Sequence, residues 1–217
     1  MANSSERLRE TVEAEAFHWG AATADSYHGT AASHMDAQWE TLISPILAQY
    51  PIDYSKTIDF AAGYGRNTRK LLEAGAGHVT MVDVNPECVA QLELHFPRER
   101  TTAVLNDGAG LSNLDTSAFT FLYTFDAMVH FDLEIILSYV PEFSRVLNPG
   151  AYAFVHHSNY TANPGGDFRL NPHWRNFMSA GIFKHVASRS GFDVVQQKIL
   201  SWGEPDNDCI TMLRRHD

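Results

Sequence analysis

The chain has 217 residues, enough for one domain with a full hydrophobic core and too few for two comfortable ones. Its 44% hydrophobic and 19% charged residues are ordinary for a soluble globular protein. The formal net charge of -10, with no Lys/Arg run, repels phosphate backbones and argues against nucleic acid as a substrate.

Residues 1 to about 55 read as helical, with apolar residues at helical spacing and Pro51 as a stop. The first residues are polar and lack the apolar run of a signal peptide. This region is expected to cap the fold as part of the same domain, which then runs over 56–217. Trp39 and Ile43 fit a helix packed on a sheet, whereas Tyr27 and His28 are candidates for a lid. From Lys56 onward strand and helix patterns alternate. Strands are expected at 57–60, 79–82, 101–105, 119–125 and 151–156, with closing strands near 192–200 and 209–214. Helices are expected at 68–74, from Pro86, at 133–147 and at 179–190. The segment 119–125 is apolar on both faces, as a central parallel strand should be. The pattern predicts an α/β fold with a doubly wound, mostly parallel seven-stranded sheet. Ligands of such sheets bind beyond the carboxyl ends of the strands, so the residues just after each strand carry the information.

The first of these loops, Asp59-Phe60-Ala61-Ala62-Gly63-Tyr64-Gly65, holds two glycines that let the backbone approach a ligand. A dinucleotide fingerprint wants a small third residue where Thr68 stands. A carboxylate at Asp59 is awkward beside a pyrophosphate and suits a ligand carrying an ammonium group. The second strand ends near Asp83, 24 residues on, where an acid can accept both hydroxyls of a ribose. The third runs into Asp107, placed to accept from an adenine amino group. Each acid alone could merely cap the next helix; three at successive strand ends point to a nucleoside.

This run resembles the class I methyltransferase family. Asp59 to Gly65 is similar to its motif I, Asp83 to its ribose-binding acid, Asp107 to its adenine-contacting acid, and 119–130 to its motif at the fourth strand. The resemblance covers roughly 56–157, with Ala61 standing where the family usually has glycine, and the last two strands are similar to the family's closing antiparallel pair, which implies an antiparallel last strand. It implies S-adenosylmethionine as cofactor, held by Asp59, Ala61, Gly63, Gly65, Asp83, Val84, Asp107, Gly108 and Phe125, with Tyr27 from the cap. It also implies a methyl acceptor over the ends of strands four and five. The Asn/Asp-Pro-Pro-Tyr/Phe motif of family members acting on DNA amino groups or glutamine is missing after strand four.

On that acceptor side, His130 is the first candidate for a general base, since an imidazole near its free pKa of about 6.5 suits proton removal from a hydroxyl. The competing reading is a histidine that packs under the cofactor and bonds backbone. His156 and His157 alternate faces, so only one can point into the site; His157, nearer the strand end, is the expected one. Asp126, Asn159 and Tyr160 would add polar contacts. The long loop after strand five brings Arg169, His173, Trp174 and Arg175 as further acceptor contacts; the alternative is a solvated loop with Trp174 packed on the sheet edge. No His, Cys, Asp or Glu pair shows dedicated ligand spacing, so no metal is expected. Cys88 and Cys209 read as buried thiols of a reducing cytoplasm, and no stretch approaches the roughly 20 apolar residues of a membrane span. The expected partner is a small-molecule acceptor, preferably a hydroxyl of a metabolite or sugar, with a homodimer compatible. The alternatives are N-methylation of a small amine or heterocycle, and an NAD(P)-dependent oxidoreductase or nucleotide-binding module.

Overall fold

The computed structural model describes residues 4–18 and 21–217, and the side chains of 8–14, 16 and 30–217. Seven strands form one sheet: β1 (Lys56–Phe60), β2 (His78–Asp83), β3 (Thr101–Leu105), β4 (Phe119–Thr124), β5 (Leu147–Ser158), β6 (Phe192–Trp202) and β7 (Glu204–Arg215). Their order is β3-β2-β1-β4-β5-β7-β6. The β1–β2, β2–β3, β1–β4 and β4–β5 pairs are parallel, while β7 runs antiparallel to both β5 and β6. The order reverses between β1 and β4, where neighbouring loops leave the sheet in opposite directions and open a crevice.

Both faces are covered, as a parallel sheet requires. Side chains alternate along β4: Leu122 joins Ile58, Phe60, Tyr139, Val140 and Phe143 on one side, while Phe121 and Tyr123 join Leu71, Met81, Phe154 and Met212 on the other. The first layer is built by α6 (Leu133–Val146) and α7 (Ala180–Arg189), the second by α4 (Arg66–Glu73), α5 (Pro86–His95) and the short α3 (Ser44–Leu47). Helix starts follow local chemistry. The Asn85 side chain accepts from the Glu87 amide ahead of Pro86, Asp132 accepts from Glu134, and Ser179 accepts from Ile182.

The N-terminal region forms α1 (Ser4–His18) and α2 (Ala21–Gln38), the latter running through a π turn at Trp39–Ile43 into α3. Pro45 explains the π turn. It has no amide for the Thr41 carbonyl, and the ladder slips a residue so that the Ser44 amide reaches the Trp39 carbonyl. Of α1, Val12 is buried in the first core layer and lies against Gly108, whose added Cβ would stand 2.1 Å from Val12 Cγ1. The Tyr27 and His28 side chains lie outside the described residues.

Two element boundaries differ from the sequence expectation by more than two residues. Strand β5 begins at Leu147, which pairs with Phe119 ahead of the Pro149-Gly150 kink. Strand β7 begins at Glu204 rather than 209, because Gly203 (φ +76°) turns the chain tightly and the Asn207 side chain takes both the amide and the carbonyl of Trp202. A side chain thereby replaces ladder bonds in a stretch whose Pro, Asp and Asn disfavour strand.

One glycine is needed for packing. Gly65 precedes α4 with φ +80°, and a Cβ there would lie 2.3 Å from Phe96 Cε2 and 2.9 Å from Leu92 Cδ2. Gly65→Ala is expected to cost about 2–3 kcal/mol, combining left-handed strain with overpacking. Urea unfolding measures it; a loss below about 0.5 kcal/mol, the scatter of neutral surface changes, would mean the Phe96 ring simply turns aside.

Candidate functional site

A cavity of about 960 Å³, its open mouth included, lies over the carboxyl ends of β1, β2, β3 and β4. Its floor is the β1–α4 turn. Ala61 adopts φ +58°, a left-handed conformation that strains any residue with a Cβ, and Gly63 and Gly65 are left-handed too. The amides of this turn are already engaged: Ala62 donates to the Val82 carbonyl, Gly63 to Asp83 Oδ2 at 2.8 Å, and Gly65 to the Ala62 carbonyl. A pyrophosphate cradle needs such amides pointing at the ligand, and these three are turned into the protein instead.

Asp83 closes β2 and lines the cavity. Its carboxylate accepts from Gly63 and, through Oδ1, from the Asn85 amide at 2.9 Å. Each oxygen keeps a second lone pair, the capacity a vicinal diol requires. Burial raises the Asp83 pKa, and the amides of Asn85, Gly63 and Val84 work against that rise. Asp59 lies behind the wall, fully buried. Its Oδ2 accepts from Thr68 Oγ1 at 2.5 Å, and its Oδ1 has no hydrogen-bond partner. Burial pushes its pKa up to about 7 against the opposing effects of Thr68 and Arg66. An orphaned carboxylate oxygen at the end of β1 fits a cationic group, and with Asp83 it suits a nucleoside that carries an ammonium.

Asp107 does not line the cavity. It is exposed, and its Oδ1 accepts from the Ala109 and Gly110 amides, closing its own turn. β3 ends at Leu105 as expected, but the turn after it points Asp107 away, and Asn106 and Gly108 form the wall instead. Asn106 Nδ2 is held by Tyr139 Oη at 2.8 Å. Val84, Phe125 and Ala61 also line the cavity, while Gly63 and Gly65 shape the turn from outside it. Sequence reading passed over Val12, Ala16, Arg66, Asn85, Cys88 and Tyr139, which lie on the wall. Asn106, directly after a strand, was the one with a readable signal.

The far wall is the turn after β4. Asp126 takes φ +59°, and its carboxylate grips Arg66 Nη2 at 2.7 Å. Burial raises the Asp126 pKa, but Arg66, His130 and His156 outweigh it and leave it lowered. His130 is 5% exposed and lines the cavity. Its Nδ1 lies 2.8 Å from the Trp174 carbonyl, which can only accept. The proton therefore sits on Nδ1, and Nε2 carries the lone pair. Burial, helped by Arg175, pushes the His130 pKa down to about 4, so the ring is neutral at neutral pH.

The β5 side departs from expectation. His157 does not reach the cavity. It is fully buried under α7, stacked on Phe183 at 4.0 Å between ring centres and bonded to the Ser158 carbonyl and Thr211. Burial brings its pKa to about 3. The strand alternation that excludes it turns His156 toward β4, where Nδ1 accepts from the Asp126 amide at 3.1 Å. The other loop candidates are structural as well. Asn159 ties the Asp206 carbonyl to the Ala180 amide, the Tyr160 backbone pairs with the 177–178 segment, and exposed Arg169 is paired with Asp167. His173 covers Gly203, Trp174 meets Phe168 edge-on, and Arg175 is buried against Asp208. None of Asn159, Tyr160, Arg169, His173, Trp174 and Arg175 lines the cavity. The loop instead clamps the β4 turn: the Asn176 amide donates to the Val129 carbonyl, and its side chain to the His130 carbonyl at 3.1 Å. Among the described residues no three His, Cys, Asp or Glu side chains are grouped as a metal would need, and no helix is long and apolar enough to cross a membrane.

Residues 58–150 match a family described as a methyltransferase domain. The solved PH0226 protein of Pyrococcus horikoshii OT3 shares the fold with a TM-score of 0.67 at 17% identity, over 91% of this chain and 95% of that one. An S-adenosylmethionine dependent methyltransferase from Mesorhizobium loti gives 0.65 at 16% identity, over 80% and 97%. A methyltransferase solved in complex with the Haloferax volcanii Trm112 methyltransferase activator gives 0.65 at 16% identity, over 87% and 95%. No curated protein matches the chain in sequence.

Proposed function

We propose that this chain is a class I methyltransferase that uses S-adenosylmethionine to methylate a hydroxyl of a small molecule, a reading supported by the methyltransferase-domain match and the shared fold. The observation that carries the acceptor reading is His130, a cavity-lining imidazole whose Nδ1 proton is tied to the Trp174 carbonyl so that Nε2 is the basic nitrogen. The cofactor supplies an electrophilic methyl on a sulfonium. The protein's part is to orient and to exclude water. Asp83 would accept from the ribose, Asn106, Val84 and Gly108 would line the place of the adenine, and Asp59 from behind the wall would offer its charge to the ammonium. His130 takes the hydroxyl proton as the oxygen attacks, and burial keeps the imidazole neutral until then. Phe60, Phe125, Phe131 and Ile135 line the same space, which favours an apolar or ring-bearing metabolite over a sugar. A cytoplasmic setting accords with the two free, buried cysteines.

N-methylation of an amine that reacts already deprotonated would need no base, so the His130 variants weigh the two acceptors. Calorimetry with S-adenosylhomocysteine and with NADH tests the cofactor half. The expected result is heat with the first and none with the second; the reverse would end the reading. In the same assay Asp83→Ala is expected to weaken S-adenosylhomocysteine by about 1.5–3 kcal/mol, the range for hydrogen bonds to a charged group. Unchanged affinity in a folded variant would place the ribose elsewhere.

A further inference from the structure

We infer that Asp208, on the closing strand β7, is a positioning residue that sets both sides of the acceptor wall. The inference rests on reading His130 and Asp126 as acceptor-side groups. Asp208 is fully buried and does not line the cavity. Its carboxylate has two sets of partners. Oδ1 accepts from Arg175 Nε at 2.7 Å, Oδ2 from Arg175 Nη2 at 2.6 Å, and Oδ2 also lies 3.1 Å from His156 Nε2.

The first arm runs through His156. The Asp126 amide can only donate, so His156 Nδ1 is bare and its proton sits on Nε2, facing Asp208. That tautomer suits the Asp126 amide, and Asp126 stands in a left-handed conformation (φ +59°) that a non-glycine residue holds only against strain. His156 also stacks on the cavity-lining Phe125, 4.7 Å between ring centres. The second arm runs through Arg175. Its Nη1 donates to the His173 carbonyl at 3.0 Å, and its own carbonyl accepts from Asn171 Nδ2 at 2.8 Å. His173 and Trp174, the residues between, have φ of +50° and +54°. This strained pair aims the Trp174 carbonyl at His130 Nδ1. One carboxylate thus fixes the tautomer of His156 directly and that of His130 through the loop. A buried charge is costly, and a fully bonded pair such as Arg175–Asp208 is better explained by what it positions than by net stability.

The test is nitrogen NMR on the full chain with S-adenosylhomocysteine bound, with ¹⁵N-labelled histidine reporting each ring nitrogen. In the wild type, His156 is expected to carry its proton on Nε2 and His130 on Nδ1. Finding either proton on the other nitrogen overturns the inference and needs no variant. Asp208→Ala is expected to release both tautomers and to lower kcat on the order of 100-fold, the cost of about 1 Å of misplacement, with S-adenosylhomocysteine affinity within about twofold. Arg175→Lys keeps the charge but not the two-pronged contact; it is expected to free His130 and leave His156 locked. Folded variants that keep both locked tautomers and wild-type kcat overturn the assignment. If His130→Gln turns over normally, the base reading fails by itself, and the two tautomers still report on Asp208.

Discussion

His130→Gln and His130→Ala are expected to slow methyl transfer by about 100- to 10,000-fold, the usual contribution of a general base. S-adenosylhomocysteine affinity should barely move, because the acids proposed to hold the cofactor lie on β1 and β2 and His130 lies past β4. The pH profile is the sharper test. Burial sets the His130 pKa at about 4 rather than 6.5. With cofactor saturating, the histidine limb should therefore appear near pH 4, and the rate should not change through pH 6 on its account. Stability follows the same sign. The unfolded chain takes up the histidine proton below about 6.5 and the folded chain only near 4, so this contribution is full above 6.5 and lost as pH falls between them. Single-turnover rates followed from neutral pH down through pH 4 decide. Near-normal turnover in both variants would end the base assignment and shift the weight to an amine acceptor. His157 is no fallback, being sealed beneath Phe183.

Asp59→Asn is expected to change how the stability of the free protein depends on pH. Burial raises the Asp59 pKa from 3.8 to about 7, the reverse of the usual salt-bridged carboxylate. The folded chain then binds more protons than the unfolded chain between those values. The stabilising contribution is full below 3.8 and lost as pH rises to about 7, on the order of 4 kcal/mol at 1.36 kcal/mol per unit. Unfolding free energies of the two proteins from pH 5 to 8 should therefore diverge, the variant gaining relative to the wild type as pH rises. Parallel curves would show that Asp59 ionises freely. On the proposed reading an ammonium near Oδ1 would compensate this buried charge, so the same variant should bind S-adenosylhomocysteine more weakly. Binding to the wild type near pH 7 should release a proton, which calorimetry in buffers of different ionisation enthalpy detects. A site that is destabilising until filled is a common cost of function.

The sequence by itself determined the order of elements and the place of the crevice. Strand and helix alternation, glycine and proline punctuation and a two-sided apolar β4 are local signals, and they suffice for a parallel sheet with loops at one end. The place of Asp83 on the cavity wall was legible for the same reason, since it stands where a strand stops, whereas the full burial of Asp59 behind that wall was not. What lay beyond was decided by contacts distant in sequence. Asp107 misses the wall because its carboxylate turns back onto the Ala109 and Gly110 amides, a turn beyond β3 that strand periodicity does not reach. Local pattern could show that His156 and His157 face opposite ways, but not which face holds α7; Phe183, 26 residues on, makes that choice. The run from Arg169 to Arg175 looked like a binding loop because its residues are polar and aromatic. The tertiary structure turns Arg175 inward onto Asp208, and the loop then acts through its backbone carbonyls. A carbonyl carries no sequence signature, so its hold on His130 could be read only from the folded chain.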